Sequence, residues 1–209
     1  MEVLGIGTLE GARIVAAGRP RTFCKNQALD RALEVFWRQG FEGASICDLT
    51  EAMGINPPSL YAAFGNKEQL FRQALDRYAE VHAERRTAML AAPTAREAIK
   101  TLLREAARNL TDKSSPIGCL YVQAIAGAGE HAACLREMLK TKVEQGERQI
   151  LERLERAKAE GELPQDADAE GLVRFISTVV QGMSVQAAAG ASRKDLERVA
   201  DMALGAWPA

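Results

Sequence analysis

The sequence predicts an all-α protein, on three observations. Apolar residues recur at spacings of three and four along most of the chain, the period of helices that bury one face. No run alternates apolar and polar residues between turn signals as a half-buried strand would. The prolines at 20, 57, 58, 93, 116, 164 and 208 fall between the periodic stretches, where a missing backbone donor costs least. At 209 residues the chain can remove roughly 70% of its unfolded surface from water without disulfides or a structural metal. A composition of 47% hydrophobic and 26% charged residues, at net charge -1, suits a soluble globular protein and not a disordered or collagen-like one. No apolar run approaches the roughly 18 residues of a membrane span, so no membrane partner is expected and the chain reads as cytoplasmic.

Each helix has its own start and stop. The first, capped by Asn26, is expected over 27–39, with Ala28, Leu29, Ala32, Leu33 and Phe36 on one stripe and Gly40 as its stop. The second opens at Ser45 with Asp48 completing a capping box, turns Ile46, Leu49 and Met53 inward, and stops at Gly54. A short third helix opens at Pro57 or Pro58 and ends before Gly65. Asn66 caps a long fourth helix to about Met89, with Leu70, Phe71, Ala74, Leu75, Tyr78 and His82 on its stripe. Thr94 with Glu97 reads as another capping box, and Pro116 is expected to begin a further segment through Ile125. The longest amphipathic stretch covers 131–160, and the last two helices are expected at 167–189 and 194–206.

Cys24, Cys47, Cys119 and Cys134 show no C-x-x-C spacing, which points to free thiols and away from a zinc ribbon or a thioredoxin-like motif. The first eighteen residues lack a basic start and are interrupted by Gly5, Gly7, Glu10 and Gly11, so they read as a loose arm or an over-long start and not as a secretory signal. Three segments follow: the arm at 1–18, a helix-turn-helix unit at 19–66 and a helical second domain at 67–209.

The second and third helices, joined by Met53-Gly54-Ile55-Asn56, have the layout of a helix-turn-helix, a pattern that an ordinary helical hairpin shares. The surroundings are more specific. Gly18 to Arg21 spell GRPR, Ser45 precedes the second helix, Ala52 to Ile55 spell AMGI, Ser59 to Tyr61 spell SLY, and Phe64 to Leu70 spell FGNKEQL. In this order these motifs resemble the amino-terminal DNA-binding domain of the TetR (tetracycline-repressor-like) transcriptional regulators, over about sixty residues from Gly18 to Tyr78. The rest of the chain is similar in layout only. The resemblance implies a repressor that binds a palindromic operator as a dimer and is released by a small molecule held in the second domain.

The chemistry of the residues can be set beside that resemblance. Ser45 offers a hydroxyl at a helix amino terminus, where free amides and partial positive charge favour a phosphate; it is equally a cap. Tyr61, by the resemblance, aims its phenol at the DNA backbone, and Lys67 opposes the dipole of its own helix and so suits a phosphate better than local stability. Base reading falls to Asn56, Pro57, Pro58, Ser59 and Ala62, a set poor in long donors, which implies thymine-methyl contacts and shape readout. The double proline and Ala63, where the family often has histidine, depart from its pattern. Arg19 and Arg21 suit a minor groove or flanking phosphates. Whole-chain neutrality hides a local excess: residues 11–38 carry six Lys and Arg against Asp30 and Glu34.

A short recognition helix reads only a few base pairs, so two copies about 34–36 Å apart, or a multiple of that, are expected. The candidate dimer face is Leu172, Val173, Ile176 and Val180 with Leu196, Val199, Met202 and Ala203; the alternative buries both faces within one subunit. Candidate effector walls are Tyr78, His82, Leu102, Leu103, Ala106, Cys119, Tyr121, Val122, His131, Cys134, Met138, Phe175, Val179 and Met183, mostly apolar, which suggests an uncharged or weakly polar molecule. A second reading has Cys119, His131 and Cys134 sensing a metal or a thiol-reactive signal. With two histidines, no phosphate-binding glycine loop and no nucleophile beside a base, neither an enzyme nor a cofactor is expected. A helical adaptor, the remaining rival, explains a dimer but not Tyr61, Lys67 and the arginine arm together.

Overall fold

The computed structural model describes residues 23–126 and 132–208, and the side chains of 23–124 and 136–208. Arg19, Arg21, His131 and the Cys134 side chain lie outside what is described. Among the described residues there are nine helices and no strand: α1 (Lys25–Gly43), α2 (Ile46–Met53), α3 (Pro57–Phe64), α4 (Lys67–Leu90), α5 (Ala95–Leu110), α6 (Leu120–Ala126), α7 (Ala132–Ala159), α8 (Ala169–Ala188) and α9 (Arg193–Gly205).

α1 starts two residues before the expected position, and Cys24, not Asn26, is its cap, with no side-chain bond. The reason is hydrophobic: Phe23 sets its ring 5.9 Å from that of Phe64 and fixes where the chain enters the helix. Gly40 does break the helix, at φ 72°, but the chain makes one more turn through Gly43. Phe41 holds that turn, its ring 6.2 Å from Phe36 and 5.3 Å from Phe71. The Ser45–Asp48 box, the left-handed Gly54 (φ 67°) and the Asn66 cap stand where the sequence put them.

Thr94 caps α5 by accepting the Glu97 N–H, while the Ala95 N–H donates to the carboxylate of Glu162, on the turn after α7. Glu162 in turn meets the buried Arg153 at 3.0 Å. The segment expected to begin at Pro116 becomes helical only at Leu120. Residues 116–119 form a strap instead: Gly118, at φ 93°, donates its N–H to Leu110 O, and the Cys119 N–H donates to Ser184 Oγ at 2.9 Å.

Two apolar masses result. One joins Leu29, Ala32 and Phe36 of α1, Leu49 and Met53 of α2, and Leu60 and Phe64 of α3 to Leu70, Phe71 and Ala74 of α4, and continues through Tyr78 to Leu120 and Leu139. It therefore crosses the expected boundary at 66/67, with α4 serving both sides. The other is built from α5, α7, α8 and α9 around Ile99, Leu103, Leu154 and Ile176, with a satellite around Met183 and Leu196. Among the described residues no helix is long and apolar enough to cross a membrane.

Candidate nucleic-acid interface

α3 has too few residues to be held by its own hydrogen bonds and is placed by two side chains, the fully buried Leu60 and Phe64. A period of 3.6 then turns Pro57, Pro58, Tyr61 and Ala62 to the opposite, exposed face, with Ala63 packed inward. Asn56 is the cap: its Oδ1 accepts the Ser59 N–H at 2.8 Å, which leaves only its amide NH2 for reading. Tyr61 is 51% exposed, which sets it apart from Phe36, Phe41, Phe64 and Phe71 of the same core region, all buried.

Ser45 acts as the cap of α2. Its hydroxyl donates to Asp48 Oδ2 at 2.6 Å and its oxygen accepts the Asp48 N–H at 3.0 Å, so the donor expected to meet a phosphate is already engaged. The Ser45 hydroxyl, then the Ser45 backbone N–H, hold the Asp48 carboxyl below its ordinary range and keep it ionised beside the α2 terminus. That terminus therefore offers the Ile46 and Cys47 amides with a negative charge next to them. Lys67 is better placed: its ammonium donates to Glu42 O at 3.3 Å and stands 4.8 Å from the Phe41 ring centroid. A cation held by a carbonyl and a ring can meet a phosphate without first leaving a carboxylate. Lys25, which the motifs did not single out, stands over the Phe64 ring, 5.4 Å from its centroid. Its cue in the sequence was only the local excess of positive charge.

Two family models match the chain. Residues 28–74 match the bacterial regulatory proteins of the tetR family, and residues 95–203, more than half the chain, match the tetracyclin repressor-like C-terminal domain. The HTH-type transcriptional repressor ComR of Escherichia coli (strain K12) is 35% identical over 193 residues, covering 91% of this chain and 92% of its own. The HTH-type transcriptional repressor BdcR of the same strain is 34% identical, over 89% and 90% of the two chains. Among solved structures, a cysteine mutant of the TetR family transcriptional regulator CifR, complexed with 26-bp operator DNA, superposes with TM-score 0.85 at 46% identity, covering 91% of this chain and all of that one. The chain belongs to the TetR family. It is thus a transcriptional regulator of the helix-turn-helix kind.

In this TetR-family chain the described candidate effector walls are divided among three apolar clusters. Tyr78, Tyr121 and Met138 adjoin the core of the reading head, Leu102 and Leu103 belong to the second mass, and Ala106, Cys119, Val179 and Met183 adjoin the satellite. Val122 is half-buried on α6. Met138 borders an open groove of about 550 Å³ between α4 and α7, beside Leu75, Asp76 and Lys142. Leu103 and Phe175 line a space of about 10 Å³, room for one water. Burial raises the Cys119 thiol, which keeps it protonated and a poor nucleophile or ligand. No group of three potential metal ligands occurs among the described residues.

The candidate dimer face also needs correction. Val173, Ile176 and Leu196 are buried within the single subunit, each at 6% exposure or less, because α8 and α9 turn these positions onto α5 and α7. Leu172, Val180 and Ala203 are partly buried against the same mass. The apolar side chains left outside are Val199 and Met202 on α9 with Phe175 and Val185 on α8. Phe175, expected in the effector wall, is 41% exposed on this outer face, and a side chain added at Gly182 between it and Val185 would meet nothing within 4 Å.

Proposed function

We propose that the protein is a cytoplasmic, non-catalytic repressor that binds a palindromic duplex as a homodimer and is released by a small molecule acting on its second domain. The observation that carries this reading is Tyr61: the core region around it buries four phenylalanines yet leaves this one ring exposed, on the face of α3 that also presents Pro57, Pro58 and Ala62. CifR, at 46% identity, is described in complex with operator DNA, and ComR and BdcR are repressors by name. Those relatives support the direction of the effect as well as the partner.

On this reading the backbone contacts are Tyr61, Lys67 and the amino-terminal arginines Arg19 and Arg21, while Pro57, Pro58, Ser59 and Ala62 face the bases. Ser45 serves chiefly to hold α2. The exposed apolar side chains Phe175, Val185, Val199 and Met202 form the contact between subunits, since monomers rarely leave such side chains together in water. Titration of a duplex from the gene's own upstream region tests the proposal. A dimeric complex is expected, lost in Tyr61→Ala and weakened in Lys67→Ala with about one unit less salt slope per reading head. Equal affinity for a random duplex of the same length would refute it.

A further inference from the structure

Tyr78, His82 and Arg86 follow one another at four-residue spacing and so line one side of α4. The Tyr78 ring lies 4.1 Å from the His82 ring, 5.2 Å from Tyr121 on α6 and 5.4 Å from Trp37 on α1. Arg86 extends the row across to α7, where it donates to Gln149 Oε1 at 3.1 Å. A Cβ at Gly146 would stand 3.0 to 3.1 Å from the guanidinium, so glycine at 146 is what lets this cation lie against the α7 backbone.

Arg86 is partly buried, and among the described residues it has no carboxylate partner. The contrast with Arg153 is direct, since that buried arginine faces Glu162 at 3.0 Å. Taking a guanidinium out of water without a counter-charge is costly, and burial lowers the Arg86 pKa accordingly. Gln149 Oε1 and the phenols can accept a hydrogen bond, but among the described residues no charged acceptor meets the guanidinium. The Trp37 indole N–H is buried with no partner among the described residues, and Tyr121 contributes a second phenol. Burial, then Arg85 and Arg86, push His82 down to about 4, so it stays a neutral imidazole at physiological pH. The Tyr78 hydroxyl is engaged by the start of α6, at Cys119 and Leu120.

We infer that this cluster recognises the regulatory ligand, and that the ligand is a small carboxylate with a planar apolar body, its carboxylate on Arg86 and its body against Tyr78, Tyr121 and Trp37. The inference rests on the reading of the second domain as effector-binding, and it replaces the uncharged molecule that the apolar walls suggested. A guanidinium fork matches a carboxylate with two parallel hydrogen bonds. The position also provides the coupling. Trp37 belongs to the helix that carries the reading head, so a ligand that shifts the Tyr78 ring shifts α1 with it.

The test uses the full-length protein with Trp207→Phe, which leaves Trp37 as the sole tryptophan. Benzoate is the probe and benzamide, its neutral analogue, the control, at constant ionic strength. A saturable change in Trp37 emission is expected with benzoate, at least tenfold weaker with benzamide and at least tenfold weaker in Arg86→Gln. Arg86→Met, which keeps the packing of the stem, is read in parallel and is expected to melt no lower than the parent while also losing the response. No saturable change with benzoate, an equal change with benzamide, or a response retained in either variant overturns the assignment. Operator binding is measured separately: its absence in every sample would sink the repressor reading and leave the fluorescence result standing.

Discussion

Replacing Met202 with glutamate separates the outer face of α8 and α9 from the subunit's own core. Met202 is 80% exposed in the single chain, so a charge there disturbs nothing inside the subunit. Burying a methionine side chain is worth roughly 1.5–3 kcal/mol. With four-fifths of the side chain still to be buried, and the symmetry of a two-fold dimer presenting the residue twice, the substitution removes about 2–5 kcal/mol from association. That corresponds to roughly a 30- to 4,000-fold increase in the dimer dissociation constant. Sedimentation equilibrium gives the constant, and urea denaturation at a concentration where Met202→Glu is monomeric gives the subunit's own stability. Leu196→Ala is the control: at 1% exposure Leu196 lies inside the subunit, and its truncation should cost about 2–5 kcal/mol of folding whatever the association state. If Met202→Glu remained as tightly dimeric as the parent, the outer face of α9 would not be the interface and the reasoning from exposure would fail.

Three other outcomes follow from the same geometry. Gly54→Ala places a Cβ on a residue at φ 67°, and should destabilise the reading head by about 1–2 kcal/mol, seen as a lower urea midpoint with an unchanged slope. His82 is held neutral in the folded chain at a pKa of about 4 and regains its ordinary value of 6.5 when unfolded. Its folded pKa being the lower, the unfolded chain binds the extra proton; stability is whole above pH 6.5 and is lost as pH falls toward 4, and His82→Gln should flatten that dependence in denaturation midpoints measured across the range. For Tyr61→Phe, which removes the phenol and keeps the ring, a weaker operator complex with unchanged melting is expected; unchanged operator affinity would remove the hydroxyl from the contact.

Much of the local structure was legible in the residues. Caps and stops are decided within four residues, so the Ser45–Asp48 box, the left-handed Gly54 and the Asn66 cap could be read directly, and the motifs from Gly18 to Leu70 carried the family with them. A three-four periodicity says that a helix has an apolar side, but not which neighbour covers it. The candidate dimer face could equally be buried within one subunit, and only the packing of α5 and α7 showed that Val173 and Ile176 are spent inside the subunit while Phe175 and Val185 remain outside. The start of α1 was likewise settled by a ring contact across some forty residues, between Phe23 and Phe64, to which no local preference points. Arg86 is the clearest case. In the sequence it is one basic residue among several on a long helix, and its lack of a counter-charge among the described residues appears only when α4 is laid against Gly146 and Gln149 of α7. Helix type and boundaries depend on neighbours along the chain. Burial, pairing and charge balance depend on neighbours in space, and those exist only once the helices have been brought together.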